Sequence, residues 1–331
     1  MELERFAEAH DVAVHHSGKV VVALDQDEAA RLDGLLERGE ANGLRGLRLL
    51  DPGGLREIEP DVTGVRALHV PETAVVDFRA VARALADEVR AAGGVVRTGA
   101  EVAAIEPAGD RRLVRTTRGE ELLVRGVVAC AGLRSDRVAA LTGARDDRRV
   151  VPFRGAYLRL RPSVAERVRG LVYPVPVPGL PFLGVHLTRR FDDEVWAGPN
   201  AVLALARERY GRWAFDGRDA RDAVAFSGLW RLASRNAGVA AGEYLRHLWR
   251  PAMAREISRM IPGVTTGDLE PAPAGIRAQM LGRDGSLVDD FVLQEGPGVI
   301  HVRNAPSPAA TACLAIGTTV ASRAADRFWA V

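Results

Sequence analysis

Ala274-Gly275-Ile276-Arg277-Ala278-Gln279, followed by Asp284-Gly285 and then by Asn304-Ala305-Pro306-Ser307-Pro308-Ala309-Ala310-Thr311, carries the most information in this chain. It reads as an arginine on a strand, a turn, and a loop feeding the N-terminus of an apolar helix. A guanidinium grips a carboxylate through two parallel hydrogen bonds. The open N–H groups and positive dipole end of a helix suit an anion or a polar cofactor edge. Together they suit a small anionic substrate held beside a cofactor. Alone, Arg277 in so arginine-rich a chain reads first as a surface or salt-bridged arginine, and the loop as an ordinary proline-marked helix start.

Outward from this stretch, strands are predicted over 275–279, 287–293 and 299–302, and a last helix over 309–329. Upstream, 12–24 reads as two short strands around Ser17-Gly18, 25–39 as a helix and 55–60 as a short helix stopped by Pro60. Asp77 caps the clearest helix, with Phe78, Val81, Ala82, Leu85, Val89 and Ala92 on one stripe and Gly93-Gly94 at its end. Strands follow over 95–97, 101–105, 113–117 and 122–124. The run 127–132 reads as a buried parallel strand ending in glycine, with Ser135 or Asp136 capping the next helix. Residues 154–197 are strand-rich, with prolines that favour edges and turns. Residues 219–260 turn helical, with Trp230, Leu245, Leu248 and Trp249 as packing residues. The alternation predicts an α/β domain whose chain leaves, builds an α+β second domain, and returns.

Composition bounds the function. The 331 residues are 47% hydrophobic and 27% charged, which is ordinary globular composition. A net charge of +2 gives no case for nucleic acid. Lys19 is the only lysine, so arginine carries nearly all the positive charge. Cys130 and Cys313 have no metal-ligand spacing and fit a reducing compartment. His15 and His16 are adjacent on a strand and point to opposite faces, which does not suit a shared metal. Neither a secretory signal nor a membrane span is expected. No P-loop, G-x-S-x-G or H-E-x-x-H motif occurs, so a P-loop nucleotidase, a hydrolase and a zinc protease are unsupported.

His186, in Gly184-Val185-His186-Leu187-Thr188-Arg189, suits a general base, but from the residues alone it reads first as a hydrogen-bonded strand histidine. Arg154 and Tyr157 could line a polar pocket or simply mark a strand edge. Gly198-Pro199-Asn200 reads as a turn beside a ligand cleft.

Six ordered motifs then resemble one family over nearly the whole chain: 152–157 (Pro-Phe-Arg-Gly-x-Tyr), 184–189, 198–204 (Gly-Pro-Asn-Ala-Val-Leu-Ala), Gly275–Gln279, 287–291 (Leu-Val-Asp-Asp-Phe) and Asn304–Thr311. The chain resembles the L-2-hydroxyglutarate oxidase/dehydrogenase family of D-amino-acid-oxidase-like FAD oxidoreductases. The resemblance implies oxidation of L-2-hydroxyglutarate to 2-oxoglutarate, hydride transfer to flavin N5, and electrons passed to quinone or oxygen. It implies a substrate-carboxylate role for Arg277 and a pocket holding His186 and Tyr157; Arg154 is read as a further catalytic residue from its place beside Tyr157. Val102, Cys130, Ala131 and Gly132 fall near the FAD adenosine and pyrophosphate. Asn304, Ser307, Pro308, Ala309, Ala310 and Thr311 fall beside the flavin ring. No metal is implied.

The expected organisation is a Rossmann-like FAD domain over 71–150 and 271–331 and an inserted mixed-sheet substrate domain over 11–70 and 151–270. The family pattern opens with a βαβ unit carrying G-x-G-x-x-G, whose loop and helix N-terminus cradle the pyrophosphate. These residues contain no such motif, so the expectation is a chain that starts after it and holds FAD less well. A cytoplasmic location follows, with at most peripheral contact at the inner face of the plasma membrane. The alternatives are an FAD oxidase of another small amino or hydroxy acid or of glycerol 3-phosphate, and a non-catalytic remnant that holds no FAD.

Overall fold

Lys19–Ala23 is an almost uninterrupted apolar run because it lies inside a sheet covered on both faces. In the computed structural model, which describes residues 2–176, 184–306 and 308–329, Val20 and Val22 pack with Met253, Ile257 and Met260 on one face. Val21 and Ala23 pack with Ala29, Leu32 and Leu68 on the other. The sheet has eight strands, in the order Leu269–Pro271, Leu158–Leu160, Val195–Gly198, His186–Arg189, Leu171–Pro174, Lys19–Ala23, Arg66–Val70 and Arg48–Leu50. Its pairs are antiparallel except Lys19–Ala23 with Leu171–Pro174, which run parallel.

Arg149–Gly155 pairs antiparallel with Gly275–Leu281 and with Val202–Leu203. Val299–Asn304 pairs parallel with Val127–Ala129 and antiparallel with Val292–Gly296. An antiparallel meander, Val102–Ala108, Arg111–Thr116 and Glu121–Val124, stands alone. The two strands read over 12–24 form, but in different sheets: Val14–His16 pairs with Ala74–Val76.

Helix starts follow the predicted chemistry. Asp77 accepts from Arg79 N and opens Phe78–Ala91. The helix read over 25–39 divides into Gln26–Ala29, capped by Asp25, and Leu32–Ala41. The last helix opens as a 3₁₀ turn, Ala309–Ala312, before Cys313–Phe328.

Five readings of local structure change. The strand read over 287–293 forms only as Val292–Gly296. Residues 95–97 form no strand, and Val95 is exposed. Val128 is 40% exposed because its parallel strand has a partner on one side only among the described residues. Phe78 and Val89 are exposed, and so are Trp230, Leu245, Leu248 and Trp249, which were expected to pack. Ser135 and Asp136 do not cap: the Ser135 hydroxyl donates to Arg303 O at 2.8 Å, and Asp136 takes a buried arginine instead.

That arginine is Arg207. Its Nη1 and Nη2 meet Asp136 Oδ1 and Oδ2 at 2.6 and 2.9 Å, with both side chains nearly inaccessible to water. Burial pushes the Asp136 carboxyl up. The Arg207 hydrogen bonds and charge, with backbone donors, outweigh this and hold it below the ordinary carboxylate value. Asp136→Ala should cost about 3–5 kcal/mol by leaving a buried guanidinium uncompensated. Denaturant unfolding of both proteins measures this, and a loss below about 1 kcal/mol would refute the assignment. The sign with pH is fixed as well. The stabilisation is present above the unfolded carboxyl pKa of about 3.9 and is lost as pH falls through the lower folded value.

Candidate active site

Strand alternation places Lys19, Tyr173 and His186 on one face of the eight-stranded sheet, because Val20, Val172 and Leu187 occupy the other core. The Tyr173 and His186 rings stack at 4.1 Å with 23° between their planes. Lys19 Nζ lies 5.4 Å from the Tyr173 ring centroid. Tyr157, between two strands, sits 5.5 Å from the Trp196 ring.

His186 Nδ1 lies 3.1 Å from Gly184 O. A carbonyl only accepts, so Nδ1 carries the proton and Nε2 is left with its lone pair. Burial pushes the imidazole down to about 4; the Gly184 carbonyl opposes this, and the charges of Arg277 and Lys19 add to it. Burial raises the Tyr157 phenol, against the charges of Arg277 and Arg190. It raises the Tyr173 phenol too, and Arg277 again acts the other way. The Arg277 charge is therefore felt by Tyr157, Tyr173 and His186 together.

Of the four residues predicted for the pocket, the structure gathers His186, Tyr157 and Arg277. Arg154 serves another neighbourhood. Its Nε donates to Tyr210 O at 3.1 Å, and its charge bears on His247, which contacts Asn200. Tyr173 and Lys19 were missed as pocket residues. The signal for Lys19 was its being the sole lysine; Tyr173 lay hidden in a proline-rich run.

Arg277 and Ala278 are successive residues of one strand and so point to opposite faces. Ala278 lines a trough of about 630 Å³ with Cys130, Gly132, Asn304, Ala309 and Ala310. The far wall is the helix Cys313–Phe328, through Cys313, Ile316, Gly317, Val320 and Ala321. Those five follow the helical period, so this wall was readable from spacing. A second groove of about 560 Å³ shares Val128 and Cys130 with the first and adds Val102 and Ala131. Asn304 Nδ2 donates to Val288 O and Asp290 O, both at 2.8 Å, fixing the loop beside the trough. Thr311 Oγ1 donates to Pro308 O at 2.8 Å within the helix start. Ser307 lies outside the described residues. Among the described residues no cluster of His, Cys, Asp and Glu could hold a metal ion, and no helix is long and apolar enough to cross a membrane.

Tyr157, Tyr173 and His186 in the field of Arg277, on the strand whose next residue lines the trough, form an arrangement suited to a cofactor-dependent enzyme. Comparison with known proteins agrees: residues 1–323 match the DAO family, FAD dependent oxidoreductase, and the chain belongs to that family. Within it, the chain is 43% identical to L-2-hydroxyglutarate dehydrogenase, mitochondrial, of Nematostella vectensis, over 98% of this chain and 75% of that protein. It is 41% identical to the Homo sapiens protein of the same name, over 98% and 74%. Its fold is similar to that of L-alpha-glycerophosphate oxidase from Mycoplasma pneumoniae, with TM-score 0.72, 21% identity, and 94% and 73% of the two chains covered. The described residues fit FAD. Two grooves that share Val128 and Cys130, apolar along Ala278, Ala309 and Val320 and bordered by Glu101, Arg134 and Arg303, suit a long cofactor with flat rings and a polar nucleotide end.

An unfolded imidazole binds its proton near pH 6.5, whereas folded His186 binds it near 4. Stability from keeping it neutral is thus complete above pH 6.5 and lost progressively as pH falls toward 4. NMR titration of the His186 ring should give an apparent pKa near 4. A midpoint at 6 or above would contradict its burial.

Proposed function

We propose that this chain works as an FAD-dependent dehydrogenase that oxidises L-2-hydroxyglutarate to 2-oxoglutarate. The carrying observation is that Tyr157, Tyr173 and His186 share the field of Arg277, whose strand neighbour Ala278 lines the cofactor trough. Arg277 holds the carboxylate next to the carbinol carbon by a bidentate contact. His186 Nε2 accepts the hydroxyl proton, and Nδ1–H on Gly184 O keeps that tautomer in place. Tyr157, a phenol that burial raises further above its ordinary value and so keeps protonated, donates a hydrogen bond to the substrate. FAD, when bound, is the two-electron acceptor. Val102, Cys130, Ala131 and Gly132 flank its nucleotide portion, and Asn304 to Thr311 its ring system.

The proposed organisation is a cofactor unit of residues 71–150 and 271–331 and a substrate unit of 11–70 and 151–270. The eight-stranded sheet, drawn from 19–70 and 158–271, supports this division. Electrons leave to a quinone or to oxygen. A cytoplasmic enzyme touching the inner face of the membrane peripherally agrees with two free thiols and with the exposed Trp213, Leu248 and Trp249 beside Arg212.

The test is visible absorbance. FAD-loaded protein given L-2-hydroxyglutarate without oxygen should bleach, and failure to bleach would sink the reading. Arg277→Ala should raise KM about 100-fold with FAD retained; an unchanged KM removes the clamp role. His186→Ala should lower kcat by about 10² to 10⁴ with substrate binding kept. A kcat within about threefold of the parent would remove His186 as the base.

A further inference from the structure

Lys19 is the only lysine of the chain, and it is placed in the sheet face that carries the pocket. Its ammonium has no acidic partner among the described residues; its contact is the face of the Tyr173 ring, at 5.4 Å. Burial alone acts on it, with no carboxylate offsetting the cost. Its charge and that of Arg277 both bear on His186, and no acid does. A half-buried cation without an anion is costly unless a ligand supplies the negative charge. Lys19 therefore calls for a negative group on a ligand seated beside the Tyr173–His186 stack.

We infer that Lys19 is a specificity-determining residue that binds the distal carboxylate of a dicarboxylate substrate, across the Tyr173–His186 stack from the carboxylate held by Arg277. This rests on the proposed function for the reaction but not for the recognition. The stack sets the gap that a chain of methylene groups must span. A monocarboxylate of the same length leaves the ammonium unpaired, so discrimination comes from the loss of a charge-assisted hydrogen bond. In a chain whose other cations are all arginine, an ammonium gives a compact point charge on a flexible stem, which reaches one carboxylate oxygen without a planar fork.

The test is calorimetric binding of glutarate and of glutaramate, its half-amide, to the FAD-loaded protein, with kcat/KM for L-2-hydroxyglutarate and L-2-hydroxybutyrate alongside. The parent should prefer glutarate about 100-fold, and Lys19→Met should erase most of that preference, lowering kcat/KM for L-2-hydroxyglutarate far more than for L-2-hydroxybutyrate. Lys19→Arg should restore part of it. Equal binding of glutarate and glutaramate by the parent overturns the inference, whatever the folding of the variants. So does a Lys19→Met protein that keeps the preference, or that loses both ligand classes equally. If the parent prefers glutarate yet does not oxidise L-2-hydroxyglutarate, the proposed reaction fails and the role of Lys19 stands.

Discussion

The Arg207–Asp136 pair is the constraint on which the two halves of the site depend. One guanidinium holds Asp136 in two hydrogen bonds and also donates to the carbonyls of Leu133 and Val150. Its own backbone N–H donates to Asp219, which Arg137 neutralises at 2.7 Å. Three segments that are distant in sequence are therefore locked together: the turn after Gly132, the strand Arg149–Gly155 and the approach to Gly217–Val224. Ser135 extends the lock to Arg303, the residue before Asn304. Desolvating two ions costs several kcal/mol each, and the bidentate geometry with further backbone partners is the arrangement that offsets it.

From that lock, strand register does the placing. Gly275–Leu281 runs antiparallel to Arg149–Gly155 with Arg277 opposite Phe153 and Ala278 opposite Pro152. A slip of one residue would exchange Arg277 and Ala278 between the pocket and the trough. Two glycines allow the neighbouring segments to close around this pair. Gly198 adopts φ +130, and a Cβ there would meet Ala156 O at 2.8 Å. A Cβ on Gly155 would meet Pro199 Cβ at 2.8 Å. Backbone thus approaches backbone where a side chain would hold the sheets apart.

Most of the elements were legible in the sequence because they obey local rules. Asp77 caps, Lys19–Ala23 alternates between two cores, and the helix after Asn304 carries its apolar stripe at the expected spacing. What was not legible is decided by distant partners. Asp136 reads as a cap, yet a guanidinium 71 residues away takes it. Phe78, Val89 and Trp230 read as core because hydrophobicity alone does not say which face a neighbour covers. Within the site, Arg277, His186 and Tyr157 announced themselves by motif, whereas Tyr173 joins them only through pairing of Leu171–Pro174 with His186–Arg189. Arg154 carries the same motif signal as Tyr157, but strand alternation turns it toward Tyr210 and His247.

The electrostatics of the pocket tie binding to chemistry. With only cations bearing on it, His186 is neutral across the physiological range and is a weak proton acceptor. The groups that weaken it, Arg277 and Lys19, are the ones that an anionic ligand compensates. A carboxylate lying against either cation cancels part of its field at the imidazole and raises the basicity of Nε2. The proposed base would therefore gain strength when an anionic ligand is seated and lose it when the site empties to water. A neutral ligand of the same shape could fill the space without this change. On the proposed roles, charge on the substrate would contribute twice: it would hold the molecule in place, and it would adjust the group proposed to take its proton.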